Sequence, residues 1–409
     1  MGLPLLPFLR GTATVLESRI CRAVNRPARP RLVAYQVTQR CNLRCPHCVY
    51  RSPDSKSSPP PVPELTVPEI SRIFSDPGLH RLDLIRITGG EPLLREDLSP
   101  LILSIKTAAN PRIFYLTTNG SFPDRLQDLL AEILPRDTKI HLLLSIDGIG
   151  EEHDRVRGVP GTFRKIERSI EIIQRFRKTY PFFVGINHTL VGDNLDRYRE
   201  VEELSRKLGF SYRRVVAARY SENTGVDQDP LKKPLPFLAA FDLEKPVFSE
   251  IYRRIFDSAQ TSPPVASPRG KNGKISAAGW ATSASLWRLG HMYLLEGEAN
   301  RLLANLNSPR FSCCSLFTHF RLLPDGKIIP CSGLPREIGD VREATFSEIW
   351  RSARADAGRK LVKNCRGCWI ECDVMPSAFY SGSIIPWLLG RRVKAYKFPD
   401  GLRSPAPEN

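Results

Sequence analysis

Between Arg31 and Ala218 the sequence alternates short apolar runs with stretches of helical periodicity, six times over. The runs Arg31–Thr38, Leu82–Thr88, Ile113–Thr117, Lys139–Ile146, Phe182–Leu190 and Tyr212–Ala218 read as strands. Helices are expected over Asp97–Ala109, Asp124–Leu134, Thr162–Lys178 and Leu195–Leu208. The third of these spaces Ile166, Ile170, Ile173 and Phe176 along one helical face. Strands that are apolar on both faces need cover on both sides, so the pattern predicts a parallel sheet flanked by helices. Six such units make either a doubly wound sheet or a barrel that does not fully close. In both, ligands meet the carboxyl ends of the strands.

Chemistry-bearing residues fall at those ends. After the first strand stand Cys41, Cys45 and Cys48 in a C-x3-C-x2-C spacing, and after the second Gly89-Gly90-Glu91-Pro92. After the third come Thr118-Asn119-Gly120, and after the fourth Asp147-Gly148, preceded by Ser145; the fifth carries Asn187 and His188. A lone Gly-Gly or Asn-Gly is usually only a turn. Recurrence at the same end of successive strands points instead to one shared pocket. Three thiolates on one loop suit three irons of a cubane 4Fe–4S cluster, leaving the fourth iron open. A structural zinc site is the first alternative, but it usually needs two paired knuckles. A disulfide is the second, and an uneven triplet suits pairing badly. For Ser145, Asp147 and Asn187 the alternative is a turn or strand-cap role.

With these motifs in order, the chain resembles the radical S-adenosylmethionine (SAM) enzymes. The triplet matches their cluster loop and ITGGEP (Ile87–Pro92) their second-strand motif, with LTTNG and SIDG following. SIDGIGEEHDRVRGVPGTF (Ser145–Phe163) is similar to members that carry a C-terminal cysteine-rich extension of the SPASM or twitch type. The resemblance implies an α/β fold, a partial (β/α)6 TIM-type barrel with a small C-terminal cysteine-rich domain. It also implies a 4Fe–4S cluster on Cys41, Cys45 and Cys48, with SAM on its open iron, reductively cleaved to a 5′-deoxyadenosyl radical that abstracts hydrogen from substrate. Gly89 and Gly90 would then let backbone approach the methionine moiety, Glu91 would face its ammonium and Pro92 would fix the turn. Ser145, Asp147 and Asn187 become candidates for ribose or carboxylate contacts, with Thr118 and Asn119 as weaker ones. His47 takes the place of a common aromatic residue and is expected to lie against adenine.

Six further cysteines lie late in the chain: Cys313, Cys314, Cys331, Cys365, Cys368 and Cys372. Pro324-Asp325-Gly326 is a hairpin signal that brings Cys314 and Cys331 together. Cys365, Cys368 and Cys372 supply a knuckle. A second, fully ligated 4Fe–4S cluster is expected, held by Cys314, Cys331, Cys365 and Cys368 or Cys372, with Cys313 as packing residue or alternate ligand; zinc is the alternative. Cys21 reads as an inert thiol. The expected divisions are 1–30 an extension, 31–220 the core, 221–311 a connection, 312–378 the cysteine-rich domain and 379–409 a tail. The connection holds a Pro/Gly/Ser-rich loop (Ser258–Lys274) and a helix over Ala284–Leu306.

Lys and Arg number 60 against 43 acidic residues, a net charge of +17. The charge is spread and no aromatic-interleaved RNA motif occurs, so no nucleic-acid partner is expected. No apolar run is long enough to cross a membrane. Apolar and basic residues at both ends, MGLPLLPFLRG and Phe379–Leu402, suit an interfacial segment, with packing on the barrel as the alternative. Ten cysteines without a secretory signal suggest a reducing cytoplasm, with possible attachment at the inner membrane face. Expected partners are a reductant such as flavodoxin or ferredoxin and a peptide, cofactor-precursor or lipid substrate. The reading from another class is an iron–sulfur carrier or scaffold that does not cleave SAM.

Overall fold

In the computed structural model, residues 5–48, 63–195, 197–219, 238–239, 290–301, 306, 308–334, 336–365 and 368–391 are described. The loop Ser258–Lys274 lies outside them, as do most of the loop after Cys48, the start of the helix expected from Ala284 and the tail beyond Arg391.

The six expected strands form, as β1 (Leu32–Thr38), β2 (Leu84–Gly89), β3 (Ile113–Thr118), β4 (Ile140–Ser145), β5 (Phe183–Leu190) and β6 (Ser211–Val216). They pair in parallel in sequence order. An amino-terminal helix α1 (Leu5–Ala23) precedes them. The expected helices appear as α3 (Leu98–Ala109), α4 (Pro123–Ile133), α6 (Thr162–Thr179) and α7 (Tyr198–Leu208). Two short ones were not expected: α2 (Val67–Phe74), capped by reciprocal Thr66–Glu69 hydrogen bonds, and α5 (Glu151–Arg157). Alternate strand residues, such as Ile85, Ile87, Phe114, Leu116, Leu142, Leu144 and Ile186, are fully buried in one core with Leu101, Leu130, Ile166 and Ile173 of the helices. Each such side chain contributes about 1.5–3 kcal/mol of burial free energy.

The sheet does not end at β1. After a two-residue pair, β7 (Ala218–Arg219) with β8 (Leu238–Ala239), and a helix α8 at 290–301, the chain returns as β9 (His319–Leu322). β9 lies parallel to β1, and β10 (Lys327–Ile329) and β11 (Gly339–Asp340) extend it antiparallel. The result is one nine-stranded sheet, β11-β10-β9-β1-β2-β3-β4-β5-β6. The sheet therefore runs without interruption from the core into the cysteine-rich region. Three helices follow the expected hairpin: α9 (Phe346–Arg351), α10 (Ala353–Asn364) and α11 (Glu371–Tyr380); α12 (Ile384–Arg391) ends the described chain.

The sheet face opposite the main core is polar. Arg321, Ala34, Arg86, Tyr115 and His141 are register neighbours across five strands. Helix α11 lies over this face. Glu371 pairs with Arg213, Cys372 meets Arg86 and Asp373 meets Arg321. This helix lines the inside of the open barrel.

Burial pushes the imidazoles of His141, His153, His188 and His319 down to about 4 and His291 to about 3. Above pH 6.5 both folded and unfolded forms are neutral at these positions. Below it the unfolded chain takes up protons that the folded chain refuses. Stability should therefore fall as pH drops from about 6.5 towards 4, by about 1.4 kcal/mol per unit for each such histidine. Guanidinium unfolding at pH 7.5 and 5.5 measures this; an unchanged midpoint would contradict it.

Candidate iron–sulfur and SAM site

The loop carrying Cys41, Cys45 and Cys48 leaves the carboxyl end of β1 and is docked on the next strand's loop by backbone. Gly90 N–H donates to the Thr38 carbonyl and Glu91 N–H to the Arg40 carbonyl, both at 2.8 Å. A Cβ on Gly90 would stand 2.1 Å from the Arg40 carbonyl oxygen, and one on Gly89 2.4 Å from that of Thr38. Gly89 also holds a φ of +153°. The two glycines thus serve first to let this loop lie flat against the cysteine loop, where any side chain would collide.

The Glu91 carboxylate is buried and accepts from Leu93 N–H (2.9 Å), Thr118 Oγ1 (2.7 Å) and Asn119 N–H (2.7 Å). Burial pushes its pKa up, against those three donors. It ties β2 to β3 through three of its acceptor positions. Pro92 opens the short turn that follows. The Asn119 side chain donates to Asn42 Oδ1 (3.0 Å) and accepts from Ser121, while Asn42 Nδ2 donates to Ser121 Oγ (2.9 Å). That triangle ties the cysteine loop to the end of β3, so Asn119 is a brace.

At the end of β4, Asp147 is fully buried. It accepts from Thr189 N–H (2.8 Å), and its other oxygen lies 2.8 Å from Arg157 Nε. Burial pushes its pKa up, but the Arg157 guanidinium and the surrounding histidines outweigh that and hold it below the usual carboxylate range. Arg157 in turn reaches the cysteine loop. Its Nη1 and its carbonyl oxygen each lie 3.8 Å from Cys45 Sγ, and the carbonyl accepts Arg44 N–H (3.0 Å). Burial pushes the Cys41 thiol of the same loop up to about 11. Desolvation lowers the His47 imidazole to about 4, so it is neutral beside the Asp147–Arg157 pair. Ser145 and Asn187 are register neighbours, but Asn187 Oδ1 accepts two hydrogen bonds from Arg213 (2.9 and 3.1 Å). Asn187 Oδ1 is thus engaged inside the barrel.

Sequence reasoning passed over Arg157, Asn42 and Arg213. Arg157 lay within the quoted Ser145–Phe163 stretch, ten residues beyond Asp147. Nothing in its spacing showed that helix α5 would return it to Cys45.

The late cysteines have identifiable neighbours. Ser315 Oγ donates to the Pro330 carbonyl (2.7 Å), so the hairpin does close. Cys314 Sγ lies 3.3 Å from Ser18 Oγ of α1. The Cys313 thiol is raised by burial and by the neighbouring Cys365, Cys331 and Cys314. Cys368, also raised by burial, feels Cys331 and Cys365 as neighbours. Cys372 Sγ instead accepts from Arg86 Nη1 (2.8 Å) on the barrel face. Cys331 and Cys365 are thus neighbours of both Cys313 and Cys368, while Cys314 and Cys372 also meet Ser18 and Arg86. Among the described residues no three Cys, His, Asp or Glu side chains converge closely enough for a single metal ion.

The radical SAM superfamily model matches residues 35–205, and an iron–sulfur cluster-binding domain model of the SPASM type matches 313–369. Residues 35–205 form a radical SAM domain. As a radical SAM enzyme with a SPASM region the chain uses SAM, a 4Fe–4S cluster and auxiliary iron–sulfur binding. It is 28% identical over 332 residues to the AdoMet-dependent heme synthase of Methanosarcina barkeri, covering 79% of this chain and 83% of that one. It is 30% identical to the pre-heme d1 synthase of Dinoroseobacter shibae, over 52% of this chain and 49% of the relative. The GTP 3',8-cyclase of Aquifex aeolicus is 29% identical, over 45% and 55%. These last two matches span about half of each relative. Among solved structures, anSMEcpe with bound AdoMet superposes with a TM-score of 0.55 at 17% identity, covering 89% of this chain and 98% of that one. Streptococcus suis SuiB bound to S-adenosylmethionine gives 0.52 at 15%, covering 80% and 67%. These likenesses extend the fold over both regions. No helix among the described residues is long and apolar enough to cross a membrane.

Proposed function

We propose that this radical SAM enzyme cleaves SAM reductively and abstracts hydrogen from a cofactor precursor, with a tetrapyrrole as the first candidate. The observation that carries it is the triplet loop pinned at the strand ends by Gly89, Gly90 and Asn42, with Arg157 against Cys45. The donor set fits a cubane: three thiols on one docked loop, with a cation beside them. When bound, the cluster supplies the electron that splits SAM into methionine and a 5′-deoxyadenosyl radical, which takes the substrate hydrogen. Cys41, Cys45 and Cys48 hold the irons, Gly89–Pro92 orient the loop, and Ser145 lies at the same strand ends. In the barrel interior Arg86, Arg213 and Arg321 are held by Cys372, Glu371 and Asp373 of α11. The names of the heme and pre-heme synthase relatives support the substrate class. A reductant of flavodoxin or ferredoxin type and a cytoplasmic setting belong to the same proposal.

Oxygen-free, dithionite-reduced protein should release 5′-deoxyadenosine from SAM, with faster release when an iron-bound or metal-free porphyrin carboxylate is added. Failure of fully loaded protein to form it, with or without those additions, would favour the carrier or scaffold reading.

For the auxiliary cluster we propose Cys313, Cys331, Cys365 and Cys368 as ligands, replacing Cys314 and Cys372. Cys313→Ala should then lower iron from about eight to about four per chain. Cys314→Ala and Cys372→Ala should keep about eight. Loss of iron in Cys314→Ala and retention in Cys313→Ala would reverse the assignment.

A further inference from the structure

Helix α1 packs on the cysteine-rich region. Arg19 Nε donates to the Ser381 carbonyl (2.8 Å), Arg22 Nε to that of Cys313 (3.0 Å), and Ser18 meets Cys314. A Cβ on Gly382, just before α12, would stand 2.8 Å from Val15 Cγ1, so the two helices are close neighbours. With one side of α1 committed inward, its other side should be polar if it faced only water. It is apolar. Leu16 is 60% exposed, Ile20 54% and Val24, just past the helix end, 59%. On α12, Ile385 is 48% and Leu389 60% exposed. These five are nearly all of the exposed large hydrophobic residues among the described residues. Scattered single apolar residues need no explanation; two neighbouring helices that both expose them do.

The charge around this face indicates its occupant. No acidic residue occurs from Met1 to Leu16, which reads MGLPLLPFLRGTATVL with Arg10 within it. None occurs from Gly382 to Pro399, where Arg391, Arg392, Lys394 and Lys397 follow the apolar run IIPWLLG. The one acid on α1, Glu17, is paired with Arg31 at 3.2 Å, and an apolar face whose second helix runs on in sequence into four cations matches a bilayer interface with anionic headgroups. A protein partner would need matching acids at fixed positions; a lipid surface needs only negative potential. We propose that the joined faces of α1 and α12 seat this enzyme on an anionic lipid surface. The cysteine-rich region, bonded directly to α1, is then held next to the bilayer. This placement is independent of the substrate reading and stands or falls separately.

The test is flotation of the cluster-loaded full chain with vesicles of phosphatidylcholine containing one-fifth phosphatidylglycerol, and with phosphatidylcholine alone. The bound fraction should be at least about tenfold larger on the anionic vesicles and should fall with added salt. Leu16→Asn, Ile20→Asn and Leu389→Asn together should lower it about tenfold or more. Arg391, Arg392, Lys394 and Lys397 all changed to Gln should lower it by about a hundredfold. Both variants should retain parental iron content and SAM cleavage, which excludes misfolding as the cause. Equal flotation of parent and triple variant would overturn the proposal. So would absence of flotation, including the case where light scattering shows a dimer of the parent that the triple variant loses, which would make the face an interface between copies.

Discussion

Cys45→Ala should leave oxygen-free, reduced protein without measurable 5′-deoxyadenosine formation. The expected loss exceeds the roughly 10–100-fold cost of removing a supporting hydrogen bond around a metal. Cys45 is one of three anchors on a single loop, and it is the buried one. Its sulfur also lies 3.8 Å from both Nη1 and the carbonyl of Arg157, so the change removes a ligand and the group facing that cation. Iron should fall by about four per chain, with the remainder on the late cysteines. Iron analysis with chromatography of the nucleoside product checks both. Retained product at parental iron content would remove the triplet from the chemistry.

Arg157→Met should destabilise the loaded protein by about 3–5 kcal/mol, because it strands the fully buried Asp147 carboxylate. Both partners are nearly or wholly excluded from solvent, so screening does not rescue the survivor. Adding Asp147→Asn to the same chain should recover part of the loss, since a neutral amide tolerates burial better than a lone charge. Guanidinium unfolding under nitrogen measures the three chains. The same change should lower the midpoint potential of the N-terminal cluster. A guanidinium next to a ligating sulfur favours the more negative, reduced state, and Met removes it. An unchanged potential together with an unchanged midpoint would show that Arg157 is neither prop nor tuner.

Much of this protein was legible along the chain. The six strands and the helices between them followed from apolar runs and helical periodicity, which are local. The triplet at Cys41, Cys45 and Cys48 and the glycines at Gly89 and Gly90 were visible as spacing at strand ends. Even so, the two glycines mattered for a reason that spacing does not contain: the approach of Thr38 and Arg40 carbonyls. Nothing local to Glu91 shows that two backbone N–H groups and a threonine hydroxyl will meet its carboxylate.

The sequence by itself determined which elements form, in what order, and which loops carry thiols, because those depend on neighbours within a few residues. Only the tertiary structure decided that β9 pairs with β1 and continues the sheet into the cysteine-rich region. It also decided that Cys314 meets Ser18 of α1, almost three hundred residues earlier, and that Cys372 meets Arg86. In the irregular stretch before a short hairpin no hydrophobic period fixes which way either of two adjacent side chains points.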